Sequence, residues 1–321
     1  MPVPDPLVIG TRGSELALWQ ANFVRSRLEA HGHRVEIETI LTRGDQVQDV
    51  PISEIGDESV FTKELDRALL AGDVHVAVHS LKDLPSHLPE GITLAAIGER
   101  EDPGDAFVPH PSVGAGLRDL PEGATLATAS LRRRAQIKSW RPDLTVVPVR
   151  GNVDTRLEKL DDSSWHGMVL AMAGLLRMGL SARIREAFPV DIMVPAVGQG
   201  ALGIACASDE PDIAEALHDM LHHDATGTAV MAERAFMQTV GGGCQVPTGA
   251  FARFNGEGAI EMDGCIADLD GTDSFREHRV CDPEDAESEA RDLAQTLLDV
   301  GGREVLDEIL GERGPRTSFH P

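Results

Sequence analysis

The stretch ASLRRRAQIK, residues 129–138, sets three consecutive arginines and a lysine in a chain that repels anions as a whole. It has 53 Asp plus Glu against 29 Lys plus Arg, a formal net charge of −24. Further basic residues recur where strand-like segments end. Arg12 follows LVIG, Arg43 follows VEIETILT, and Arg132 and Arg133 follow ATLATAS with Ser130 placed as a helix N-cap. Arg150 follows TVVPV, and Arg156 lies one turn into the next helix. In open α/β sheets ligands bind at the carboxyl ends of strands, where helix N-termini present free N–H groups and a positive dipole. Arginine adds a planar fork that holds a carboxylate by two hydrogen bonds. Any single one of these arginines is explained as well by pairing with a surface acid. Their recurrence at one topological position points to a cleft for an anion carrying several carboxylates or phosphates.

AVHSLKDLP (77–85) follows the same rule, with Lys82 and Asp83 side by side in a loop that Pro85 constrains. An acid beside cations stays ionised, because opposite charge lowers its pKa. Such a carboxylate is either half of a surface ion pair or a group that stabilises positive charge on a ligand. VGGGCQVPTG (240–249) raises a parallel choice. Its glycines free the backbone for close approach. Cys244 at the apex is either incidental to a tight turn or a nucleophile or attachment point.

Metal and dinucleotide chemistry find little support. His75 and His79 form HxxxH on a strand-like segment, where about 13 Å separates them at roughly 3.3 Å per residue, too far for one ion. His222, His223 and Asp224 read as a helix end. GQGALG (198–203) fits GxGxxG only formally: Pro195 interrupts the preceding strand, and ALGIACAS reads as a strand rather than the helix the fingerprint needs. Cys206, Cys244, Cys265 and Cys281 fit no zinc or CxxC spacing and are expected as reduced thiols. No metal is expected.

The elements that must position these residues alternate. LVIG, VEIETILT, VHVAVHS, TVVPVRG and GMVLAMAG read as strands. SELALWQANFVRSRLEAHG, TKELDRALLAG, NVDTRLEKL and AGLLRMGL read as helices. In the first helix Leu16, Trp19, Phe23 and Arg27 recur at helical spacing, and Gly32 ends it. The alternation predicts α/β domains with mainly parallel sheets over the first 220 residues, with EREDPGDAFV (99–108) as a crossover between two of them. After about residue 223 a helix, the glycine-rich loop, three short strands and a long acidic helix predict a separate small α+β domain. A chain of 321 residues is expected to hold two or three domains. Without a run of eighteen apolar residues or a basic leader, it is expected in the cytoplasm and off the membrane. The acid excess disfavours nucleic acid. It is tolerated best where the Debye length falls to ~3 Å at 1 M salt, so a halophilic source is expected.

Ten motifs in order carry a resemblance that none carries alone. They are IGTRGSELALWQA, TRGD, FTKELDRAL, AVHSLKDLP, REDPGDAF, SLRRRAQ, RGNVDTRLEKL, LAMAGLLRMGL, PAVGQGALGI and ERAFMQTVGGGCQVPTGA. From about residue 7 to 255, and more loosely to the end, the chain resembles the porphobilinogen deaminase (hydroxymethylbilane synthase) family. The resemblance implies two α/β domains like those of periplasmic binding proteins, at 1–101 plus 196–222 and at 102–195. The active site would lie between them, with a small α+β domain at 223–321. It implies a monomeric transferase that condenses four porphobilinogen molecules head to tail, releasing ammonia and hydroxymethylbilane. Its dipyrromethane cofactor would be held by a thioether at Cys244. Lys82, Arg132, Arg133, Ser130 and Thr128 would bind that cofactor, and Arg12, Ser14, Arg150, Arg156 and Arg177 the substrate. Asp83 would be the catalytic acid, stabilising the cation left by loss of ammonia. Arg134 is expected to point away. Six linked pyrroles would carry up to twelve carboxylates, which explains a cleft lined with cations.

Two departures stand out. ATAS replaces the family's usual Gly-Thr-Ser-Ser, so Ala129 offers no hydroxyl. GDESV (56–60) replaces a Gly-Lys-Gly-like loop, although Lys63 remains. The rival reading is a non-catalytic anion-binding protein on the same scaffold; Asp83 and the cysteine loop speak against it. Asp83→Asn is expected to abolish porphobilinogen consumption while leaving the unfolding transition in place. Substantial residual turnover would remove Asp83 from the chemistry.

Overall fold

The computed structural model describes residues 3–42, 62–241, 243 and 246–311. Strands β1 (Leu7–Thr11), β2 (Val35–Thr39), β3 (Val76–Ser80) and β4 (Ile92–Ile97) form the first sheet. The chain then crosses to a second sheet of β5 (Asp105–Pro109), β6 (Thr125–Ala127), β7 (Thr145–Val147), β8 (Gly167–Ala171) and β9 (Glu186–Ala187). It returns with β10 (Leu202–Ala207), giving the orders β2-β1-β3-β10-β4 and β7-β6-β8-β5-β9. In each sheet one strand, β10 or β5, runs against the other four. Both follow directly on a crossing between the sheets. They are therefore free of the right-handed helical crossover that consecutive parallel strands require.

Helices α1 (Glu15–Ala30) and α2 (Lys63–Ala71) flank the first sheet, and α3 (Leu131–Trp140), α4 (Val153–Asp161) and α5 (Met172–Arg177) the second. Ser14 caps α1 by accepting from the Ala17 N–H at 3.3 Å. The face of α1 that enters the core is Ala21, Val24 and Leu28, packed on Leu7, Ile9 and Val76. Trp19 and Phe23, on the stripe picked out by sequence spacing, are instead 38% and 36% exposed and stack on each other at 5.5 Å. The aliphatic side chains of this face fill the space against the sheet, and the aromatic stripe falls on the other side.

Helix α6 (Pro211–Leu221) packs back on the first sheet. After a two-residue junction, α7 (Asp224–Val240) leads to the third sheet, antiparallel β11 (Thr248–Phe254), β12 (Ile260–Ala267) and β13 (Ser274–Cys281). His222 and His223 cap the two helix ends, as their position implied. Helix α8 (Ala286–Leu297) covers this sheet through Leu293 and Leu297, against Phe236, Met262 and Ile266; α9 (Arg303–Gly311) follows.

A buried ion pair joins the three parts. Arg100, on the first crossing, donates to both Glu233 oxygens at 2.6 and 3.2 Å and to the Gln199 carbonyl on the return crossing. Glu233, on α7 and 1% exposed at its side chain, also accepts from the Gly198 and Ala252 N–H groups. Removing one partner of such a pair strands a buried charge. Glu233→Ala is expected to lower the urea unfolding free energy by about 3–5 kcal/mol; a loss below ~1 kcal/mol would show that the junction is held by other contacts.

Candidate active site

A cavity of about 380 Å³ opens where the three sheets meet. Arg12, Ser14, Lys82, Asp83, Ser130, Arg132, Arg133, Arg150 and Arg156 all line it. Nine residues singled out by sequence, from four separate strand ends, thus share one space. Cys244 and Arg43 lie outside the described residues, as do GDESV and most of TRGD. Gly243 and Val246, which flank Cys244 in sequence, line the same cavity.

Local chemistry explains the placement. Strand β3 ends at Ser80, and a single turn, Leu81–Asp83, carries Lys82 and Asp83 into the cavity. Ser130 caps α3, accepting from the Arg133 N–H at 3.4 Å. Arg132 and Arg133, in the first turn of α3, lean over the second sheet. Thr128 does not reach the cavity: its hydroxyl oxygen accepts from the Ser130 N–H and shapes the turn into α3. Arg134 points away, donating to the Leu269 carbonyl and to Asp270. Arg177 also stands off the wall, with its Nη2 on the Gly200 carbonyl at 2.6 Å.

The buried Asp105, at the start of β5, binds both cavity arginines. Arg132 donates to it from Nη1 at 2.7 Å and Nη2 at 3.2 Å, and Arg133 from Nε at 2.9 Å. Burial opposes ionisation of Asp105, but the two guanidiniums outweigh it and hold its carboxyl well below the usual carboxylate range. Two arginines share one carboxylate, so the pair keeps a net positive charge. Gln199, 1% exposed, completes the hub: its Nε2 donates to Asp105 at 3.0 Å, and its Oε1 accepts from Lys82 Nζ at 3.2 Å. Burial and then Arg133 lower the Lys82 ammonium to about 8, against the opposing pull of Asp83 and Asp105. Burial and Arg133 likewise lower Arg156 to about 10. Its Nε donates to the Gly151 carbonyl at 2.7 Å. His79, buried beside these groups, is pushed down to about 4 by burial and by Arg12, so it is neutral at neutral pH.

Comparison with known proteins follows the same order of residues. The family model described as porphobilinogen deaminase, dipyromethane cofactor binding domain, matches residues 7–215, and that of the porphobilinogen deaminase C-terminal domain matches 228–299. The porphobilinogen deaminase of Syntrophomonas wolfei is 46% identical over 304 residues, covering 94% of this chain and 98% of its own. That of Geobacter sulfurreducens is 45% identical, covering 94% of each chain. The Synechococcus sp. strain CC9902 protein is 47% identical over 97% of this chain and 98% of its own. The chain belongs to the porphobilinogen deaminase family. Among solved structures, the methionine binding protein MetQ aligns over 66% of this chain and 86% of its own, at 12% identity and a TM-score of 0.41.

The cavity wall fits the family's dipyrromethane. Lys82, Arg132 and Arg133 offer cations for its carboxylates and Ser130 a hydroxyl, and Gly243 and Val246, on either side of Cys244 in sequence, line the same wall. Among the described residues no group of three or more His, Cys, Asp or Glu could hold a metal ion, and no helix is long and apolar enough to cross a membrane. Cys206, Cys265 and Cys281 are free thiols.

Four residues that serve the site were not picked out in the sequence. Asp105 and Gln199 lie inside quoted motifs, yet their partners are 27 to 117 residues away. Arg234 and Gln238, on α7, donate to the Pro85 and Ser86 carbonyls and pin the loop that follows Asp83. A signal existed only for Gln199: it sits between Gly198 and Gly200, both at positive φ, and so in a tight turn at a crossing.

Lys82 is cationic below about pH 8 and neutral above it. The hold of Lys82 on a carboxylate in the cavity is therefore full on the acid side and weakens as pH rises through that value. The kcat/KM for porphobilinogen is expected to fall roughly tenfold across the transition, the worth of about one charge-assisted hydrogen bond. Lys82→Arg should move this limb to higher pH; a limb left in place would assign the titration to another group.

Proposed function

We propose that this chain condenses four porphobilinogen molecules, one at a time, onto a dipyrromethane primer joined to Cys244, and releases hydroxymethylbilane. The observation that carries this reading is the convergence of one carboxylate, Asp83, and a set of cations on a single cavity beside the Cys244 flanks. When bound, the primer supplies the pyrrole carbon to which substrate is joined. Each condensation would break a carbon–nitrogen bond of the substrate and form a carbon–carbon bond, releasing ammonia and the displaced pyrrole proton; release of the finished chain would break its bond to the primer and consume one water, whose oxygen becomes the product's hydroxyl.

Arg12, Ser14, Arg150 and Arg156 hold the acetate and propionate groups of incoming substrate. Lys82, Ser130, Arg132 and Arg133 hold those of the primer. Thr128 acts through Ser130, and Arg177 contributes from the seam behind the wall. Asp83 is placed to stabilise the positive charge that develops as ammonia leaves and to take up the pyrrole proton. A fixed carboxylate performs best when its loop is rigid, and the Arg234 and Gln238 clamps supply that rigidity.

The three sheets support a division into 1–101 plus 196–222, 102–195 and 223–321. We further place the enzyme in the cytoplasm as a monomer that engages neither nucleic acid nor membrane. A high-salt setting is in keeping with a net charge of −24.

Intact mass of the purified protein tests the reading. An excess equal to two linked pyrroles is expected, lost in Cys244→Ala, with stepwise heavier species after porphobilinogen is added. A bare polypeptide mass that stays fixed, even after incubation with excess porphobilinogen to load the primer, would favour a non-catalytic anion-binding protein.

A further inference from the structure

Arg177 is the one arginine of the proposed binding set that does not line the cavity. It sits one turn beyond Gly174, whose neighbours Leu16 and Val153 both belong to the cavity wall. Its Nη2 donates to the Gly200 carbonyl at 2.6 Å, and that same carbonyl accepts from the Glu101 N–H at 3.1 Å. Glu101 and Gly200 lie on the two crossings between the α/β sheets, so Arg177 grips the point where the crossings touch. Its other face is covered from the opposite side. The guanidinium lies over the Trp19 ring at 5.6 Å from the centroid. Phe23 stacks on Trp19 with planes 7° apart, and Arg27 lies over Phe23 at 5.2 Å. Trp19, Phe23 and Arg27 are spaced by four residues on α1, one above another on one face. An alternating ladder of cation, two rings and cation therefore runs from solvent to the seam between the sheets.

A surface tryptophan that packs on nothing of the core needs a reason. The core face of α1 is complete without it. Arginine has five N–H donors, and the Gly200 carbonyl occupies one. A ring beneath the plane attracts the cation electrostatically and fixes the direction of the remaining donors.

We propose that Trp19 is a positioning residue for Arg177: its ring, braced by Phe23, holds the guanidinium on the Gly200 carbonyl, so that the crossing that carries Gln199 keeps its place in the cavity wall that substrate meets. This rests on the reading that Arg177 serves substrate, and a double-mutant cycle separates the two. In primer-loaded enzyme, Trp19→Leu and Arg177→Gln are each expected to raise the KM for porphobilinogen, Trp19→Leu by about fivefold. The double variant should be no worse than Arg177→Gln, and Trp19→Phe should recover most of the loss. A second readout needs no turnover. With Trp140 and Trp165 replaced by Phe, emission from Trp19 should shift when Arg177 becomes Gln. Independent, additive effects of the two substitutions, or unchanged Trp19 emission, would overturn the positioning role. Unchanged kinetics in Arg177→Gln would instead overturn the reading that Arg177 serves substrate, while the emission shift would still report the contact.

Discussion

The site depends on one buried carboxylate. Asp105 is 1% exposed, and a lone carboxylate there would be neutral. Arg132 and Arg133 keep it ionised, and it keeps them in place. Without it, two guanidiniums in the first turn of α3 would repel each other beside a helix N-terminus whose dipole already disfavours cations. With it, the pair becomes a rigid unit of net charge +1 whose orientation is fixed by three N–H donors on one acid. Further donors go to the Val194 and Val169 carbonyls. A cleft for anions must be cationic, yet like charges packed in low dielectric destabilise the fold that holds them. One shared acid is the compromise; Lys82 and Arg156 still sit low, first because they are buried and then because Arg133 stands near them.

Much of this was legible in the sequence, for reasons that also mark what was not. Arg12, Lys82, Asp83 and Arg150 announced themselves because strand ends and helix starts are local features, and ligands of α/β sheets gather there. Ser130 announced itself as a cap for the same reason. Asp105 did not, since its role is defined by arginines 27 and 28 residues later. Arg100 and Glu233 are 133 residues apart and no local rule joins them. Spacing along α1 identified a helix but not its buried side: an i, i+4 stripe of aromatics and the aliphatic stripe of Ala21, Val24 and Leu28 fit equally well until the sheet is present. The reversed strands β5 and β10 were hidden too, because pairing direction is set by where the chain re-enters a sheet.

Charge is segregated with similar economy. The chain has only four lysines, and one of them, Lys82, is spent at the centre of the cleft. Arginine does most of the remaining work there. Its planar fork loses less freedom per hydrogen bond than a flexible ammonium, and it stays protonated when buried, as Arg156 does at about 10. Apart from Asp83 and Asp105 the cavity is walled by cations, so a dicarboxylate approaching this protein meets an acidic exterior and an attractive cleft. Salt shortens the reach of the exterior's repulsion, while contacts inside the cleft are screened much less.

The hub of the site also lies on the mechanical axis of the molecule. Gln199 is on the return crossing, and its amide donates to the Pro103 carbonyl on the outward crossing as well as to Asp105. Arg100 ties the same two crossings to α7 through Glu233. Helix α7 in turn holds the loop behind Asp83 and ends at the glycines before Cys244. Any rotation of one α/β sheet against the other must therefore pivot about residues that hydrogen-bond to the cavity cations. Large opening would break Gln199 from Lys82 or Asp105 and leave a buried ion short of a hydrogen-bond partner, which is costly. Small rotations would leave those bonds intact while changing how far the two walls stand apart. The architecture thus favours a cleft that adjusts its width about a fixed centre and accommodates a growing, multiply charged chain without moving Asp83 relative to the cavity cations.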